Sequence, residues 1–184
     1  MKKGGMDMKK RILGFLLAAL MCVGVTPVYA NEAEPVEPIA NMYLLSRGAM
    51  VEKLYELEGA PAVETAVPFK DVDEWYADAV AWAAANGIVA GYDADTFGPD
   101  DYVRREQLAS ILYRYAKYKG MDVSIGENTN ILSYTDAFDI SGYAFPAMQW
   151  ACGSGILTDV EGEIFPHGYV AGPTADEFFE IFKQ

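Results

Sequence analysis

Residues 69–120 read FKDVDEWYADAVAWAAANGIVAGYDADTFGPDDYVRREQLASILYRYAKYKG, and the rest of the chain can be set against this stretch as a poorer copy of it. Trp75, Ala79, Trp82 and Ala83 recur at helical spacing, which predicts a helix over 75–86. Gly87 stops it, because glycine reaches the left-handed cap conformation without steric cost. A short apolar run, 88–90, leads into a loop punctuated by Gly, Asp and Pro over 91–101. Leu108, Ile111, Leu112, Tyr115 and Ala116 then draw one face of a second helix, ended by Gly120.

The second half of this unit recurs upstream. Residues 46–59, SRGAMVEKLYELEG, align at an offset of 58, matching Arg47 with Arg105, Leu54 with Leu112 and Tyr55 with Tyr113. The first half is absent there or reduced to 38–45. Downstream, at an offset of 68, Ala79 matches Ala147, Trp82 matches Trp150, Gly87 matches Gly155, Ile88 matches Ile156 and Phe97 matches Phe165. A last helix carries Ala175, Phe178, Phe179 and Phe182 on one face. Copies that cannot bury their own apolar faces imply a shared core.

Phe69, Asp71, Val72, Trp75, Ala79, Gly87, Ile88, Gly91, Phe97, Pro99 and Arg105 follow in order the pattern of an S-layer homology (SLH) module: F-x-D-V, W-x-x-x-A, G-I-x-x-G, F-x-P and T-R-x-E. The chain resembles that family over nearly all of residues 31–184, with a partial first module (40–68), a full second (69–120) and a degenerate third (121–184), and no room is left for a second domain. The resemblance implies an all-α domain of three helix-loop-helix modules, packed about a pseudo-threefold axis around a central helical bundle. It also implies a non-catalytic module that attaches to an anionic, pyruvylated secondary cell-wall polysaccharide linked to peptidoglycan. The alternative is a structural or protein-docking module on the cell surface whose polysaccharide binding is eroded.

Residues 1–30 carry a basic cluster (Lys9, Lys10, Arg11), an apolar run over 12–25 and a small-residue site ending at Ala30, which predicts an export signal cleaved after Ala30 and a secreted, wall-associated product. No membrane insertion is expected once it is removed. Residues 31–40, acidic and proline-bearing, read as a flexible lead. Removal of the signal takes away five basic residues and one acidic one, moving the net charge from −13 to −17. Such a balance lacks the basic footprint of a nucleic-acid binder. Cys152 is then the sole cysteine, so the fold must rest on its core rather than on an internal disulfide.

The helix starts carry the chemistry. Thr as cap and Glu at the third position make a capping box, with Arg projecting between them; here the three copies read Ser46-Arg47-Gly48-Ala49, Arg104-Arg105-Glu106-Gln107 and Ala171-Gly172-Pro173-Thr174. In the family this Arg meets the acidic sugar end, a carboxylate that a guanidinium fork suits. The ligand-binding residues carried over by motif are Arg47, Arg105, Trp75, Gly91 and Asp71. Trp75 is weighed as a sugar-stacking surface against a core aromatic, and each Arg as a ligand residue against a surface ion pair.

No catalytic, metal or cofactor site is implied. Asp93, Asp95 and Gly98 fail as a calcium loop, since Phe97 and Arg104 fall where acids are required, so these acids read as turn formers. The single histidine, His167, reads as a loop residue. A glycosidase would need two carboxylates sharing a cleft, and no sequence feature names such a pair.

Overall fold

The computed structural model describes residues 43–180 and 182, so the expected signal and lead lie outside the described residues. The helices are α1 (Arg47–Leu57), α2 (Ala77–Ala85), α3 (Arg105–Tyr118), α4 (Phe145–Gly153) and α5 (Gly172–Glu180). Short 3-10 turns at Ser124–Asn128, Ile131–Ser133 and Ala137–Asp139 precede α4. Among the described residues there is no strand, only isolated two-residue bridges, and the fold is all-α.

Helix stops follow the expected chemistry. Gly87 and Gly120 sit at φ +68° and +69°, the left-handed region that costs glycine least. α2 starts two residues later than its periodicity predicts, because residues 74–76 form a turn that the side chain of Asp73 holds through the Trp75 amide, 3.1 Å away.

The helices pair as α1 with α2 and α3 with α4. The same aromatic contact sits in each. Tyr55 of α1 meets Trp82 of α2 with ring centres 5.7 Å apart, and Tyr113 of α3 meets Trp150 of α4 at 5.6 Å. Both tryptophans are buried, at 5% and 3% exposure. They join one continuous core with Met50, Leu54, Leu108, Leu112, Tyr115 and Phe179. The stretch 121–133, which reads as an unpatterned connection, instead packs on α4; there the amide of Trp150 lies 3.0 Å from where a side chain on Gly126 would begin.

A closed circle of backbone hydrogen bonds ties together the three segments that lead into α1, α3 and α5. Leu45 N–H donates to Val170 (2.9 Å), Val170 N–H to Val103 (2.9 Å) and Val103 N–H to Leu45 (2.8 Å). All three side chains are buried. Two residues on, Arg47 N–H donates to Asp101, Arg105 N–H to Gly168 and Gly172 N–H to Tyr43. A helix start has amides with no partner inside the helix; here the neighbouring segment's carbonyls supply one. The next amides behave alike, Gly48 to Pro99 and Glu106 to Pro166, until the third segment offers Pro173, which has no N–H.

The loops also repeat, with one correction to the sequence alignment. The Asp71 carboxylate accepts from the amides of Phe97 (2.8 Å) and Gly98 (2.7 Å), while that of Asp136 accepts from Ile164 (3.0 Å) and Phe165 (2.7 Å). Ile164, fully buried, therefore takes the place of Phe97, and Phe165 takes that of Gly98. Gly98 has φ +73° and Phe165 φ +48°, the same left-handed turn. The downstream loop is therefore one residue shorter before this point. Two adjacent apolar residues, Ile164 and Phe165, hid the shift.

Candidate functional site

The arginine at each helix start is a staple. Arg47, at 5% exposure, donates from Nε to the Phe97 carbonyl (2.9 Å) and from Nη2 to that of Ala90 (3.0 Å). Its guanidinium lies between the rings of Tyr92 and Phe97, 4.7 and 4.5 Å from their centres. Arg105 repeats the two bonds one copy on, to Ile164 (2.7 Å) and Thr158 (2.7 Å). Burial lowers both pKa values, yet a guanidinium stays charged. Neither pairs with a carboxylate among the described residues. Each fixes a helix start against a distant loop, Arg47 against 90–97 and Arg105 against 158–164.

At the third helix start the place of the arginine belongs to Gly172, and the ring of Tyr43 lies where a side chain there would begin.

Arg47 also forms part of the wall of a cavity of about 450 Å³. Gly91 and Tyr92 form another part, Arg104 at the N-cap of α3 and Gln107 and Arg114 within it add to the wall, and Tyr143 completes the lining. Gly91 is required there: a Cβ would strike the Phe69 ring and lie 2.5 Å from the Thr96 carbonyl. Three arginines thus line one space. Its single carboxylate, Glu106, is buried at 3% exposure and already engaged. It accepts from Ser141 N–H (2.9 Å), Ser141 Oγ (2.9 Å) and the Tyr143 hydroxyl (3.3 Å), and His167 Nε2 stands 3.7 Å away. Burial, with Glu106 adding to it, pushes Tyr143 up to about 12, so it stays a neutral donor. Burial likewise raises Tyr92.

The residues expected from sequence divide by geometry. Arg47 and Gly91 meet at the cavity. Asp71 holds the 97–98 loop beneath it, and its pKa is lowered by the Phe97 amide, against a smaller burial effect, with help from Gly98. Arg105 does for the next loop what Arg47 does here. Trp75 is 74% exposed, so it is no core aromatic. Arg104, Arg114 and Tyr143 also line the cavity, and none of them is among the residues carried over by motif. A partial signal existed: Gln107, Ile111 and Arg114 recur at helical spacing on one face of α3, whose N-cap is Arg104. Gln107 Oε1 accepts the Arg104 amide (2.9 Å), so half of the capping box survives with a cation at the cap position.

Other groups take quieter roles. Asp93 accepts from the amides of Asp95 (2.8 Å) and Thr96 (2.9 Å), as a turn former does. Burial pushes the half-buried Cys152 thiol up to about 11, away from thiolate chemistry. His167 is half-exposed on its loop.

Residues 68–109, which hold the Asp71-tied loop, Gly91 and the start of α3, match the family model described as "S-layer homology domain". Over that stretch the chain is similar to an S-layer homology domain. Two curated relatives align over about half of it. An "Endoglucanase" of Bacillus sp. (strain KSM-635) is 32% identical over 93 residues, which is 50% of this chain and 10% of that protein. A "Surface-layer 125 kDa protein" of Lysinibacillus sphaericus is 30% identical over 97 residues, 52% of this chain and 8% of that protein. The aligned part is thus about a tenth of either relative, and the SLH region is what the endoglucanase shares. Among the described residues no helix is long and apolar enough to cross a membrane.

Proposed function

We propose that this chain is a non-catalytic surface-attachment module whose cavity beside α3 takes the anionic group of a cell-wall polysaccharide. The observation that carries the reading is charge placement: Arg47, Arg104 and Arg114 converge on one space in a chain of net charge −13, and the one carboxylate there is occupied by Ser141 and Tyr143. A local cluster of cations is what a polyanion needs to overcome the repulsion of the whole molecule. A carboxylate-bearing sugar, such as a pyruvylated one on a secondary polysaccharide linked to peptidoglycan, fits a guanidinium-lined space.

In this reading Arg47 and Gly91 shape the cavity, Asp71 and Arg105 hold the loops around it, and Trp75 offers an exposed face to sugar. The family match supports the surface role. The closed hydrogen-bond circle and the repeated staples support three modules, at 40–68, 69–120 and 121–184, about a pseudo-threefold axis. Export with cleavage after Ala30 completes the proposal.

The test is co-sedimentation with purified sacculi before and after chemical removal of the secondary polysaccharide. Binding should be present before and lost after. Binding that survives removal contradicts the ligand class, and no binding at all to intact sacculi puts a protein-docking role in its place.

A further inference from the structure

Glu106 puts the one carboxylate into the wall of the arginine-lined cavity, and its two oxygens are unequally loaded. Oε2 accepts the Ser141 amide (2.9 Å), while Oε1 accepts both the Ser141 hydroxyl (2.9 Å) and the Tyr143 hydroxyl (3.3 Å), with His167 Nε2 3.7 Å away. His167 itself lies outside that wall. It lines a separate hollow of about 230 Å³ together with Asp136, Asp139 and Glu163, and its ring is half-exposed to solvent. The backbone on either side of it is tied to the start of α3, because the amides of Arg105 and Glu106 donate to the carbonyls of Gly168 (2.8 Å) and Pro166 (3.0 Å).

From this arrangement we infer that His167 is a proton-operated positioning residue, which tightens the cavity's hold on an anion as pH falls from about 8 to about 5.5. The inference rests on the function proposed above and adds its regulation. Imidazole is the side chain that ordinarily changes charge in this range, and the chain has one histidine. Burial pushes the Cys152 thiol up to about 11 and the Tyr143 hydroxyl up to about 12, so neither takes part. The charged groups around His167 are Glu106 from α3, Asp136 and Asp139 from the turn before α4, Glu163 from its own loop, and Arg105, whose side chain passes Gly168. Of these, Glu106 alone lines the cavity.

A proton on His167 acts on the cavity by two routes of the same sign. With neutral imidazole, the Glu106 charge opposes any anion in the space; a positive ring 3.7 Å from Oε1 offsets it and leaves Arg47, Arg104 and Arg114 to act on the ligand. The same ring competes for Oε1 with the Tyr143 hydroxyl. That bond is the longest of the three Glu106 accepts, so it yields first, and a neutral hydroxyl on the cavity wall is then available to donate to the anion. By linkage, an anion that prefers the protonated form draws a proton onto the protein as it binds.

The experiment uses the full chain with purified sacculi, and with the soluble polysaccharide released from them. Sacculi change charge with pH themselves, so each ratio is read against His167→Gln, which stays polar but does not titrate. Relative to that variant, wild type should bind sacculi roughly threefold to tenfold more tightly at about pH 5.5 than at about pH 8, the effect of one unit charge acting through a partly solvated wall. At the higher pH the two should bind alike. Glu106→Gln, which keeps an acceptor for Ser141 and removes the charge, should show no pH response beyond that of His167→Gln. Calorimetry with the released polysaccharide near neutrality, in two buffers of different ionisation heat, should record proton uptake by wild type and none by His167→Gln.

Equal pH ratios for wild type and His167→Gln overturn the switch, as does tighter binding by wild type at the higher pH or binding without proton uptake. A full pH response in folded Glu106→Gln also overturns it, since the proton then acts through some other group. If wild type binds intact sacculi at neither pH, the function proposed above falls and the switch with it; if binding is present and only its dependence on His167 fails, that function stands.

Discussion

Arg47 and Arg105 occupy the motif position expected to meet a ligand, and each spends two N–H groups on loop carbonyls of the next copy. Their removal therefore reaches the fold before it reaches any sugar. Arg105→Ala should lower the free energy of unfolding by about 2–4 kcal/mol, since two charge-assisted bonds vanish and two loop carbonyls lose their donors. Arg105→Lys should recover little, because an ammonium cannot reproduce the guanidinium fork. Urea unfolding measures both. Asp71 gives a pH signature. Its carboxyl is held below the ordinary range by the Phe97 and Gly98 amides, so the folded state prefers the ionised form. That stability is fully present above the unfolded value of about 3.9 and is lost as pH falls through the lower folded value. Asp71→Asn should flatten the acid limb of a stability–pH curve, and an unchanged limb would show that the loop does not depend on the charge. The motif named these residues. Their partners were not legible, because a carbonyl 59 residues away, as between Arg105 and Ile164, leaves no mark on sequence spacing.

Among the elements, α1, α3 and the Trp helices were legible because apolar spacing records burial on one face. Pairing across the copies was not, since the same pattern serves whichever helix covers it. Trp82 is the common contact of two elements, meeting Tyr55 of α1 and Tyr118 of α3. Trp82→Ala should cost about 3–5 kcal/mol by thermal or urea melting, and an unchanged midpoint would refute the packing. The loop before α5 tests the shifted register. Phe165 holds a left-handed turn at 43% exposure where the parallel loop has Gly98. Phe165→Gly should raise stability by about 0.5–1 kcal/mol, as relief of a strained φ outweighs a half-exposed ring. Were Phe165 the counterpart of buried Phe97, the same change would instead unfold the third copy. The aligned Phe97–Phe165 pair pointed the wrong way because the deletion falls in a stretch, 159–163, whose single apolar residue, Val160, is exposed and marks no register.

For the whole molecule, the hydrogen-bond circle of Leu45, Val103 and Val170 brings together segments far apart in sequence, and Arg104, next to Val103, lines the cavity beside α3. Composition foretold an acidic chain and excluded a basic binding surface, but it could not foretell that Arg47, Arg104 and Arg114 would share one space. That convergence is the basis of the attachment proposal, and it can be tested apart from the staples at Arg104 and Arg114, because the bonds to loop carbonyls belong to Arg47 and Arg105. The decisive measurement is the affinity for purified sacculi of wild type and the Arg104→Gln/Arg114→Gln double variant across a range of salt, with circular dichroism confirming that both are folded. We expect the double variant to bind at least about tenfold more weakly at low salt, from two charge-assisted contacts, and to lose most of the salt dependence that wild type shows. A folded double variant that binds as tightly as wild type, with the same response to salt, would contradict the role of this cavity.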